Sequence, residues 1–188
     1  MQIASFSKLL GQFILSLVAA LVPASQPFFA PAQRSDASLP AGVFVARDEH
    51  LADEDTLTVE RRGPQRYRLV FADHTAQLTF DATLFQLGAD REGRPAYFLD
   101  LEPRMARPQR HGIPAQARHL AVMVDWWLGP AQPAHLYLRT VRKSWLDEQE
   151  PTLKLPTARL GDLLKKAVAE DAFDARADLI AWRPWGAR

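Results

Sequence analysis

Apolar residues recur at every second position in one short run after another from residue 42 onward, and this spacing constrains the fold more than any other property of the chain. Thr56-Leu57-Thr58-Val59-Glu60 alternates strictly, and in Arg66-Tyr67-Arg68-Leu69-Val70-Phe71 the apolar set is Tyr67, Leu69 and Phe71. Period two sorts side chains onto the two faces of a strand. Between these runs stands Arg61-Arg62-Gly63-Pro64-Gln65, a turn cluster of hairpin length. Two strands joined by so few residues pair antiparallel, because a parallel pair needs a crossover of about a dozen residues or more.

The same texture extends along the chain. Gly42-Val43-Phe44-Val45-Ala46 is a short β-branched and aromatic run, and the acid-rich stretch 48–55 after it reads as an exposed loop. Over residues 76–87, Leu78, Phe80, Ala82 and Leu84 share one parity and Phe85 and Leu87 take the other, a switch that predicts a bulge or sharp bend. A polar turn at 88–95 leads into Tyr97-Phe98-Leu99-Asp100-Leu101. Leu120, Val122, Val124 and Trp126 then alternate with Ala121, Met123, Asp125 and Trp127, and a turn at 129–133 precedes the strand 135–141. Only near the end does the period approach 3.6: Leu160, Leu163, Leu164, Ala167 and Val168 fall on one face of a helix over about 158–170, behind Thr157 as N-cap. Residues 178–182 read as a closing strand. The expectation is a mainly β fold, an antiparallel meander closing as a small barrel of calycin or lipocalin-like type, with one C-terminal α-helix. Closure has a physical motive, since it removes the unpaired edges through which open sheets associate.

The first 32 residues have a different character. Lys8 precedes an apolar run of 14 residues, 9–22, that breaks at Pro23-Ala24, and Ala30-Pro31-Ala32 follows. Charged start, apolar middle and small-residue end are the parts of an export signal, with cleavage after Ala24 or after Ala32. Removal is expected over retention as an anchor, because a membrane-crossing helix needs about 20 apolar residues. The protein is accordingly expected in the periplasm or outside the cell, touching membrane only through an uncleaved signal. Residues 33–40, small and polar, read as a flexible tether, and 41–188 as one domain. Without the signal the chain carries 22 basic and 22 acidic residues, a balance that argues against a nucleic-acid binder. With no cysteine, no disulfide, lipid-modified N-terminal Cys or thiolate metal site is possible.

Catalytic signatures are lacking. Ser144 stands in Arg142-Lys143-Ser144-Trp145 with no Gly-x-Ser-x-Gly around it, and no Gly-x-Gly-x-x-Gly or Walker loop occurs. The five histidines show no His-x-His, His-x-x-x-His or His-Glu-x-x-His spacing, so neither a metal site nor a cofactor is expected. His119 and His135 begin adjacent strands with Asp125 between them, which would gather the three into one neighbourhood, as a polar cross-strand cluster before a site. Asp100 reads as pointing outward while Tyr97, Leu99 and Leu101 point inward; facing the core instead, it would be a buried carboxylate in need of partners. The best functional candidate is the loop 102–118, where Arg104, Arg107, Arg110, His111 and Arg118 stand among prolines without an acid after Glu102. Clustered guanidinium groups suit carboxylates, phosphates or an anionic lipid surface, against the plainer reading of a solvated loop.

Tyr97-Phe98-Leu99-Asp100-Leu101-Glu102-Pro103, and Pro133-Ala134-His135-Leu136-Tyr137-Leu138-Arg139 followed by the 160–168 helix, resemble uncharacterised exported bacterial proteins of lipocalin-like β-barrel type. The resemblance implies a small barrel behind a signal or lipoprotein leader and no established activity. The chain departs from it in lacking a lipobox cysteine, and Gly42-Val43-Phe44 stands where true lipocalins carry Gly-x-Trp. The residues weigh toward binding rather than catalysis. The expected function is an exported small-molecule binding protein for an apolar or amphipathic ligand with an acidic head. That ligand would lie among strand side chains, with Arg104, Arg107, Arg110, His111, His119, His135 and Trp126 contacting it. The alternative is a non-catalytic structural or protein-interaction domain of the cell envelope.

Overall fold

The alternating runs pair into one ring. The computed structural model describes residues 22–24, 27–29, 34–46, 56–72, 77–104, 118–128, 133–149 and 157–181. Its strands are β1 (Val22–Ala24), β2 (Gly42–Ala46), β3 (Thr56–Gly63), β4 (Arg66–Ala72), β5 (Gln77–Ala89), β6 (Pro95–Pro103), β7 (His119–Trp127), β8 (His135–Val141) and β9 (Phe173–Ala181). Two helices, α1 (Lys143–Glu148) and α2 (Thr157–Ala169), lie between β8 and β9. From β2 to β9 each strand pairs antiparallel with its neighbour in sequence. β9 also pairs with β2, Val45 opposite Ile180, and so closes an eight-stranded barrel. The closing strand is therefore real, but it begins at Phe173, earlier than its sequence suggests. β1 lies outside the ring: β8 pairs with β7 over residues 123–127, and β1 takes the same side of β7 at 119–121.

One parity of every strand points inward. Leu57 and Val59 of β3, Tyr67, Leu69 and Phe71 of β4, Leu99 and Leu101 of β6, and Leu120, Val122 and Val124 of β7 meet in a cluster that contains no charged residue. An eight-stranded ring is only wide enough for its own side chains or one small guest. Leu39, from the segment before β2, joins this cluster, and its backbone N–H donates to the Tyr67 hydroxyl at 3.0 Å. Residues 34–41 are thus packed rather than a loose tether: Arg34 bridges to Phe85, Ser35 is buried, and Ser35 Oγ accepts the Ala37 N–H at 3.0 Å. Small polar residues here serve tight turns and backbone pairing, which composition does not distinguish from a linker.

Strands β5 to β7 carry a second apolar layer on their outer face. Phe85, Leu87, Phe98, Ala121 and Met123 are buried there under Leu160, Leu164, Ala167 and Val168 of α2 and under Phe28 and Phe29. This layer corrects the reading of the parity switch in β5. Register runs without a break through Leu84 opposite Leu99 and Phe85 opposite Phe98, and the irregularity falls later, between Gln86 and Ala89. Leu84 and Phe85 are both buried because each face has its own cover. The helix presents the face expected of it, with Lys165 and Lys166 exposed. α1 was not anticipated, since six residues are too few to display a helical period. It seats Trp145 beneath α2, where the indole N–H donates to Glu170 Oε2 at 2.7 Å. Among the described residues no helix is long and apolar enough to cross a membrane.

Candidate functional site

Outward parity on β4, β5 and β6 builds a charged surface beside the second apolar layer. Because Tyr67 and Leu69 point in, Arg66 and Arg68 point out, and the same rule turns out Asp81 and Thr83 of β5 and Asp100 and Glu102 of β6. Register aligns them in rows, Arg68 with Asp81 and Glu102, and Arg66 with Thr83 and Asp100. Over these rows lies an open groove of about 580 Å3, walled by Pro27, Phe29 and Phe85 on its apolar side. Arg34, Arg62, Arg66, Arg68 and Arg104 line it with Asp81, Asp100, Glu102 and His119. Five guanidinium groups against three carboxylates leave it with an excess of positive charge before His119 is counted.

The cations are held differently. Asp81 is shared: its Oδ2 lies 2.5 Å from Arg104 and its Oδ1 3.7 Å from Arg68 Nε, an atom that is buried without a hydrogen bond. Arg62 pairs with Glu60. Arg34 and Arg66 make no ion pair among the described residues. A guanidinium presents a planar fork of donors that matches a carboxylate or phosphate, so two unpaired forks on one wall suit an anion.

Asp100 anchors the floor. It points out of the barrel, as expected, yet is 5 % exposed, because the segment carrying Phe28 covers it. Buried carboxylates persist only when donors surround them. Here the Phe28 N–H donates to Oδ2 at 3.3 Å and His119 Nδ1 to Oδ1 at 3.0 Å. The hydrogen bond to Asp100 raises the His119 pKa above the ordinary 6.5; burial opposes this, Asp100 and Glu102 add attraction, and Arg118 lowers it. The imidazolium is thus favoured near neutral pH and adds to the positive side of the groove.

The structure brings together two of the seven residues expected to bind, Arg104 and His119, and it places them on the outer wall and not at a mouth of the barrel. Arg107, Arg110 and His111 lie outside the described residues. Trp126 packs against the inner cluster with its ring 4.8 Å from Tyr97. His135 stands opposite Trp127, so β7 separates it from His119 by about 26 Å at the usual rise per residue. Adjacent strands of an antiparallel hairpin begin at opposite ends, which is why the expected His119, Asp125 and His135 neighbourhood does not form. His135 instead stacks on Tyr137 at 6.0 Å and meets Trp127 edge-on at 6.0 Å, while Asp125 is exposed and accepts the Trp126 N–H at 2.8 Å.

Sequence reasoning missed Arg34, Arg62, Arg66 and Arg68. The outward parity of Arg66 and Arg68 beside Asp81 on the next strand of a meander was a usable signal. Nothing local marks Pro27, Phe29 or Arg34 as walls of a site. Among the described residues no group of three His, Cys, Asp or Glu side chains is arranged to hold a metal ion. In comparisons with known proteins, no family model, curated protein or solved structure matches this chain.

Proposed function

We propose that this is an exported binding protein of lipocalin-like build that takes a small amphipathic molecule with an acidic head, and that the molecule lies in the groove outside the barrel. The carrying observation is the pair of unpaired arginines, Arg34 and Arg66, facing a groove whose other wall is Pro27, Phe29 and Phe85. An acid head would take the guanidinium forks and the buried Arg68 Nε, and an alkyl or ring portion would cover the phenylalanines. The interior is a weaker host. The strands that are apolar on both parities, which suggested a guest among them, are accounted for by α2 and residues 28 and 29 covering their outer face.

The test uses dodecyl phosphate, laurate and dodecanol as probes, with affinities read by titration calorimetry on the purified protein. The two acids should bind and the alcohol should bind much more weakly, and Arg34→Ala with Arg66→Ala should abolish that difference. Equal binding of acid and alcohol, or none of either, would overturn the proposal.

A second reading, a protein-interaction domain of the envelope, draws on a different place. Trp127 and Leu128, at the end of β7, are 46 % and 62 % exposed, and Trp127 continues into the His135 and Tyr137 stack. Aromatic side chains of this kind anchor interfaces. Under this reading Trp127→Ser removes cross-linked envelope partners and leaves the groove's affinities unchanged.

A further inference from the structure

We infer that the export leader is cut between Ala24 and Ser25, so that residues 27–39 belong to the mature fold; this rests on the export reading above. Two bonds satisfy the small-residue rule, with Val22 and Ala24 or Ala30 and Ala32 preceding the cut. The fold separates them. Phe28 and Phe29 are both buried in the outer layer, the Phe29 ring lying 4.9 Å from Phe85 and 5.9 Å from Phe98. The Phe28 N–H is one of the two donors that satisfy buried Asp100. Gly161 of α2 rests against the same residue so closely that a Cβ there would stand 3.2 Å from the Phe28 carbonyl oxygen.

Hydrolysis after Ala32 would therefore strip the cover from Phe85 and Phe98, leave Asp100 with one donor, take away the surface on which α2 sits and remove Pro27 and Phe29 from the groove. Hydrolysis after Ala24 removes only β1, whose three residues pair along β7 at 119–121 outside the closed ring. The reaction consumes one water, leaving a carboxylate on Ala24 and a new amino terminus on Ser25, and is the work of a leader peptidase of the export pathway.

The experiment expresses the full chain in a bacterium with an active export pathway and determines the N-terminus of the protein in the periplasm and medium by intact mass and N-terminal sequencing. A chain beginning at Ser25 is expected. A chain beginning at Gln33 would overturn the inference while leaving export intact. Intact chain confined to the cytoplasm would overturn the export reading, and the inference with it. Two variants sharpen the assignment: Ala24→Phe should lose the Ser25 product and accumulate precursor, and Ala32→Phe should leave the Ser25 product unchanged. The reverse pattern would place the cut after Ala32.

Discussion

The two faces of strands β5 to β7 solve the same packing problem in different ways. The inner face, with Phe80, Leu84, Leu99, Leu101, Leu120 and Val122, closes on the other strands of the ring, and its cluster includes no charged residue. The outer face has no sheet to close on and is covered piecemeal, by α2 and by the two phenylalanines of the N-terminal segment. Where that cover ends, the outer face turns charged, and the groove forms along the boundary between Phe29 and Phe85 on one side and Arg66, Arg68 and Asp81 on the other. A closed interior excludes charge, whereas an incomplete outer layer can hold a buried carboxylate and a set of arginines within reach of solvent. The site follows from the incompleteness.

The largest expected effect tests whether the two layers stand or fall together. Phe98→Ala in the outer layer and Phe44→Ala inside should each cost about 3–5 kcal/mol, as buried phenylalanine truncations do. Both should show one cooperative transition in urea, followed by fluorescence and circular dichroism. A separate early transition for Phe98→Ala alone would make the outer layer an independently melting cover.

Removing the buried carboxylate comes next. Asp100→Ala leaves the Phe28 N–H and His119 without their acceptor and should cost about 1–3 kcal/mol. The pair also carries a pH signature. Because His119 binds its proton more tightly folded than unfolded, its contribution is complete below the unfolded value of 6.5 and is lost as pH rises through the higher folded value. Stability of the wild type should fall across that window, and Asp100→Asn should remove the fall while leaving the inner core as it was. Urea midpoints collected from mildly acidic to mildly basic pH would check this.

Gly161→Val probes the contact between helix and segment. The side chain would press on the Phe28 carbonyl oxygen, which is backbone and has little room to yield, so a loss of about 1–3 kcal/mol is expected. The smallest stability effect belongs to the groove: Arg34→Ala and Arg66→Ala, half a wall each, should stay within about 0.5 kcal/mol of wild type. Their effect should appear in affinity for the acid probes, which separates the site from the scaffold.

Much of the scaffold could be read in advance, and the reason is local. Tyr67, Leu69 and Phe71 alternate within a few residues of one another, and Gly63-Pro64 stands between two such runs, so strand, face and hairpin pairing all follow from near neighbours. The α2 face was legible in the same way, through Leu160, Leu164 and Val168. Of the site, only Arg104 and His119 were singled out, and they were assigned to the wrong side of the wall. Two apolar parities in β6 and β7 have the same signature whether the second parity faces a guest or a helix. Asp100 shows the difficulty in one residue: its outward direction is a matter of parity, but its burial depends on Phe28, 72 residues away in the chain.

Period-two spacing, short turns and one late amphipathic helix were enough to determine a meander that closes, because each depends on interactions between residues close in sequence and on the cost of leaving strand edges unpaired. Only the tertiary structure decided that the N-terminal segment crosses the outer face, that Asp100 lies beneath it and that arginines from the N-terminal segment, β3, β4 and the end of β6 share one groove. Those arrangements are long-range: they exist when segments distant in the chain meet over a common apolar layer, and no local pattern of residues encodes which segment will supply the cover.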